Sequence, residues 1–130
     1  MLDTNACIAV MNDRPAKVRT QLLKKSIETV GISVISLYEL KYGAYKSEQL
    51  VRNQKTLNAF CRYVQVNAWD EECADAAGRI RAMLEKTGSL VGPYDLLIAA
   101  HAVTTGATLV TANVREFKRV KSLKVVNWSR

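Results

Sequence analysis

Val91-Gly92-Pro93-Tyr94-Asp95-Leu96-Leu97-Ile98-Ala99-Ala100-His101-Ala102 is the stretch from which the fold is read. Gly92-Pro93 opens a helix, because proline at the first helical position loses no hydrogen bond and its φ already suits the helix. The pattern continues to Gly106 and is apolar nearly all round. A helix of that kind belongs at the centre of a domain, with other layers packed against it.

Working outward, Asp70 to Gly88 forms the clearest neighbouring helix. Its apolar residues Cys73, Ala76, Ala77, Ile80, Met83 and Leu84 fall at helical spacing, with Asp70 as N-cap and Gly88 as the stop. A further helix begins after Ser47 and buries Leu50, Val51, Leu57, Phe60 and Cys61; others span Thr4 to Asn12, Pro15 to Ser26 and Ser36 to Lys46. Between them lie β-branched stretches at Val30 to Ile35, Val64 to Val66, Thr108 to Thr111 and Lys124 to Val126. Such alternation predicts a parallel sheet covered on both faces. Only Met1 and Leu2 precede Asp3, so the first strand is very short or the chain begins inside it.

The 130 residues suit one core and one domain, 1–130, with no repeat or linker. No apolar run approaches the roughly 20 residues of a membrane span, so a soluble, cytoplasmic protein is expected. Cys7, Cys61 and Cys73 are too scattered for a disulfide framework or a zinc site and read as reduced core residues. Lys and Arg outnumber Asp and Glu by 19 to 12, a net charge of +7, which suits a polyanionic partner or merely a solvated basic surface.

On this map Asp3 ends the first strand, Glu39 lies in the first turns of a helix, Asp95 opens the Pro93 helix, and Asn113 and Glu116 follow a strand. Groups beyond the carboxyl ends of parallel strands converge on one crevice. Two carboxylates about 4 Å apart repel by roughly 4 kcal/mol at an effective dielectric of about 20, and a divalent cation relieves this. Oxygen-only ligands suit Mg²⁺ or Mn²⁺, and such an ion activates water against a phosphodiester. Each acid also has a plainer account: Asp3 and Asp95 as partners of helix N-termini, Glu39 as an exposed helical residue.

Four segments sharpen the choice. Met1-Leu2-Asp3-Thr4-Asn5, Ser33-Val34-Ile35-Ser36-Leu37-Tyr38-Glu39-Leu40-Lys41-Tyr42-Gly43, the Val91 to Ala102 stretch and Thr111-Ala112-Asn113-Val114-Arg115-Glu116-Phe117 resemble, in order, the motifs of PIN-domain proteins. Their wording is closest to the VapC toxins of bacterial toxin–antitoxin pairs. The resemblance implies a three-layer α/β/α domain with a central parallel sheet of four to five strands. It also implies an endoribonuclease needing Mg²⁺ or Mn²⁺, with Asp3, Asp95 and Glu39 at the metal and Glu116 completing the catalytic acids. Asn113 stands where much of the family has Asp, and Glu116 is expected to supply the missing charge.

Thr4 and Asn5 match a motif that supports the first Asp, although helix capping explains them equally. Tyr94 would meet RNA bases or pack against the next helix, and His101 is expected in the core. Expected partners are a VapB antitoxin that wraps the toxin, an RNA substrate such as tRNA (the initiator anticodon stem-loop among the candidates), a second copy in a homodimer, and DNA only through the antitoxin. Two other classes compete. An aspartyl phosphatase or receiver domain would need a second acid near Asp3, which is absent; a basic binding module would leave the acids structural.

Overall fold

The computed structural model describes residues 1–130. Its strands are β1 (Gly31–Ser33), β2 (Gln65–Asn67), β3 (Thr108–Val110) and β4 (Lys124–Val126). The helices are α1 (Thr4–Asn12), α2 (Ala16–Leu23), α3 (Val34–Lys46), α4 (Leu50–Phe60), α5 (Glu71–Thr87), α6 (Pro93–Thr105) and the short α7 (Val114–Phe117). β1 pairs with β2 and β3 with β4, all parallel.

Leu2 joins the two pairs by parallel bridges to Ile32 and Val110, so the spatial order is β2, β1, Leu2, β3, β4. In place of one continuous sheet of four to five strands, the structure has two parallel pairs of three-residue strands, joined in the middle only by the bridges of Leu2. The N-terminus is nonetheless tied firmly, with Leu2 N–H donating to Gly31 O, Asp3 N–H to Val110 O and the terminal ammonium to Thr108 O at 2.8–3.0 Å.

Strand side chains alternate between faces, and the two faces carry separate cores. Leu2, Ile32 and Val110 pack with α1, α2 and α4 residues such as Cys7, Leu22 and Phe60. Met1 and Leu109 point the other way, onto Ile98, Ala99 and Ala102 of α6 and Phe117 of α7. Both faces are thus covered, which is the three-layer arrangement. Leu2, Ile32, Ile98 and Leu109 have no exposed surface, and each such side chain contributes roughly 1.5–3 kcal/mol.

α6 is as central as its composition demands, with residues 98–102 buried and a seam of Ala76, Ala77 and Ala100 letting α5 approach it closely. Gly88 and Gly106 end α5 and α6 at φ of 69° and 70°, a left-handed conformation that glycine adopts without strain.

Several boundaries move. β1 stops at Ser33 instead of Ile35, because the Ser33 hydroxyl accepts the Ile35 N–H at 3.1 Å and starts α3 two residues before Ser36. α2 ends at Leu23 and is followed by a 3₁₀ turn at Ile27–Thr29. Val51, expected in the core, is 66% exposed, and Cys61 is half-buried in a 3₁₀ turn, while Cys7 and Cys73 are buried; all three thiols are free. No helix is long and apolar enough to cross a membrane.

Candidate active site

The acids predicted from strand ends do come together at one edge of the sheet. Asp3, 3% exposed, leaves the Leu2 bridge and caps α1, its Oδ1 accepting the Ala6 N–H at 2.7 Å. The Thr111 hydroxyl, just beyond β3, lies beside the same carboxyl and lowers its pKa. Glu39, in the second turn of α3, accepts the Thr4 hydroxyl at 2.7 Å. Asp95 lies half-buried in the first turn of α6. Glu116 of α7 accepts the Gly92 N–H at 2.9 Å and the Asn113 side-chain amide.

These groups share one electrostatic field. Burial pushes the Asp95 carboxyl up to about 6, and the charges of Glu116, Asp3 and Glu39, in that order, push the same way, as does a hydrogen bond with Glu116. Asp3 is raised too, first by burial and then by Glu39 and Glu116, against the lowering effect of Thr111 and of its bond to Ala6. Carboxylates held together at this cost are a site for positive charge.

The donors fit a hard divalent cation, because all are carboxylate oxygens. No three His, Cys, Asp or Glu side chains converge closely enough to ligate one ion as they are. A cation there would offset the like charges that add to burial in raising Asp95.

The support of the acids differs from expectation. Thr4 serves Glu39 rather than Asp3, because it sits one residue past the strand end, where its hydroxyl faces α3. Asn5 is exposed and takes part in none of the site's hydrogen bonds. Asn113 orients Glu116 through its amide. Thr111, 1% exposed and not singled out by the sequence, lies beside Asp3 and accepts the Asn113 N–H at 2.9 Å. Its place at the carboxyl end of β3 was the signal available for finding it.

Gly92 also lines the site. A Cβ there would lie 3.6 Å from both Asp95 Oδ2 and Glu116 Oε1, placing a methyl group against two carboxylates. His101 is core, as expected: it is 1% exposed, its Nδ1 lies 2.8 Å from the Ser33 hydroxyl, and burial lowers its pKa. Ser36, one turn before Glu39, carries the one buried side-chain oxygen without a partner.

At the mouth, the rings of Tyr38 and Tyr94 meet at 5.7 Å between centroids with a 54° tilt. Both are exposed, and Tyr38 lies within the field of Glu39.

The PIN-domain family model matches residues 1–123. Ribonuclease VapC2 of Rickettsia felis is 40% identical over 132 residues, spanning all of this chain and 98% of that one. The tRNA(fMet)-specific endonuclease VapC of Shigella flexneri is 41% identical over 129 residues, 99% of this chain and 97% of its own length. Among solved structures, VapBC2 of Rickettsia felis bound to a DNA fragment from its promoter superposes with a TM-score of 0.91 at 39% identity, covering 98% of this chain and 97% of that one.

Proposed function

The chain belongs to the PIN-domain family, among its VapC ribonucleases, and from that premise we propose a divalent-metal-dependent endoribonuclease toxin in which Asp3, Glu39, Asp95 and Glu116 form the catalytic acids. The observation that carries this reading is that Asp3, Glu39 and Glu116, from three other segments of the chain, act on the half-buried Asp95 in one electrostatic field. A merely structural acid has no use for such neighbours.

Asp3, Asp95 and Glu39 would hold Mg²⁺ or Mn²⁺, with Glu116 adding the charge that Asn113 lacks. When bound, the ion polarises the phosphodiester and lowers the pKa of its water. The protein's part is positioning. The Ala6 N–H aims Asp3, with Thr111 beside it, Thr4 aims Glu39, and Gly92 N–H with Asn113 aims Glu116. Asp95 must lose its proton to join a cationic centre, so the metal-free protein should take up Mg²⁺ more weakly as pH falls through about 6.

The substrate is structured RNA. The similarity to a tRNA(fMet)-specific endonuclease supports initiator tRNA, with the anticodon stem-loop as our proposed site of cleavage, and the +7 charge suits binding through phosphates. The likeness to a VapBC complex supports a VapB-type antitoxin as inhibitor, with promoter DNA contacted through that antitoxin.

The test is incubation of antitoxin-free protein with total tRNA in Mg²⁺ or EDTA, alongside Asp3→Ala and Asp95→Asn, followed by sequencing of the ends. Discrete Mg²⁺-dependent cuts, lost in both variants, are expected. Binding without scission under any divalent ion would leave a basic binding module in place of an enzyme.

A further inference from the structure

We propose that Tyr38 and Tyr94 form a stacking platform for an unpaired base next to the scissile phosphate, continued along α3 by Tyr42, Lys41 and Lys46. This rests on the ribonuclease reading and names the residues that would hold its substrate.

The two rings come from different helices, and each directly precedes an acid of the site, Glu39 or Asp95. They touch one another yet remain 51% and 44% exposed, so the pair is organised without being buried. A phosphodiester lying against the acids would bring its flanking bases to this place. Tyr42 follows Tyr38 one turn later, and Lys46 Nζ stands 5.2 Å from the Tyr42 ring centroid. Ring faces for bases interleaved with cations for phosphates are what a single strand requires, whatever its sequence.

The same stripe, with Tyr45 at the next helical position, could instead suit another protein. The cations beside it and the acids at its end favour a nucleic acid over an apolar helix.

Binding of a fluorescent initiator anticodon stem-loop would be followed by anisotropy in EDTA, where cleavage is absent, for the parent, Tyr38→Ala, Tyr94→Ala and the two Tyr→Phe variants. Steady-state cleavage in Mg²⁺ and sedimentation would accompany it. Each alanine should weaken binding on the order of tenfold and raise KM more than it lowers kcat, while phenylalanine restores both and the mass stays unchanged. Unaltered affinity in the alanine variants of a protein that still cuts RNA would overturn the platform and leave the enzyme reading intact. Loss of binding together with a change in mass would assign the stripe to a second copy of the chain. Tyrosine-dependent binding by a parent that never cuts would keep the platform and sink the ribonuclease.

Discussion

Two aspartates in this molecule cap helices in the same way and end with opposite electrostatics. Asp3 caps α1 by accepting the Ala6 N–H at 2.7 Å, and Asp70 caps α5 by accepting the Cys73 N–H at 3.1 Å. Asp70 is exposed, and its carboxyl is lowered, chiefly by the bond from the Cys73 backbone. Asp3 makes the shorter bond and is nevertheless raised, because burial outweighs the cap and Glu39 and Glu116 add like charge. A cap by itself stabilises a carboxylate. Where a capping acid is raised, something other than the helix has determined its surroundings, and that contrast separates the site from the scaffold.

The comparison breaks most visibly in activity. Asp3→Ala and Asp95→Asn should each lower RNA cleavage on the order of 10²- to 10³-fold, the scale of losing one electrostatic contact with the transition state. Asp70→Ala should leave turnover per folded molecule unchanged. Equal losses in Asp3 and Asp70 variants, measured as kcat/KM on the same tRNA, would erase the distinction.

A smaller effect is expected from the groups that aim the acids. Thr111→Val and Thr4→Val should weaken Mg²⁺ activation about 10- to 100-fold, as losses of orienting hydrogen bonds to metal-binding groups commonly do. A Mg²⁺ titration of cleavage reads this directly, and a normal midpoint in Thr111→Val would remove it from the support of Asp3.

Stability against pH sharpens the same contrast in metal-free protein. Asp95 titrates at about 6 in the folded chain against an ordinary value of 3.8, so the folded state holds the proton more tightly. Its stabilising contribution is complete below 3.8 and is lost as pH rises through about 6. His101, whose pKa is lowered by burial, acts in the opposite sense, with stability lost on acidification. Because His101 is present in both proteins, the difference between parent and Asp95→Asn isolates the acid. Melts in EDTA from pH 7 to 5 should show the parent gaining on the variant as pH falls; parallel curves would place Asp95 outside any shared field.

Asp70→Ala gives the smallest change, a slightly lower melting temperature from the missing cap, read by a thermal melt beside the parent.

The parts of the fold that were legible in advance are those written locally. Asp70 and Gly88 bound α5, and Pro93 and Gly106 bound α6, because caps act within one turn. The misjudged boundaries have equally definite causes. Ser33 ended β1 early by capping α3, and Val51 reads as an apolar helical position yet faces outward because no element packs over that side of α4. The convergence of Asp3, Glu39, Asp95 and Glu116 followed from the rule that parallel strands deliver their ends to one edge. The partner of Thr4 did not follow, since its choice between Asp3 and Glu39 depends on how α3 lies over the N-terminus.

By itself, the sequence determined which segments are helices, the ends of α5 and α6, the buried character of α6, the parallel arrangement and which acids would meet, all of which follow from local caps, periodicity and strand order. Only the tertiary structure decided that the sheet is held together at Leu2, that Thr111 lies beside Asp3, that Asn113 aims Glu116 and that Asp95 rises to about 6. The physical reason is range: a cap is settled within a few residues, whereas a carboxyl's pKa sums burial and charges from groups up to 92 positions away, as Asp3 is from Asp95.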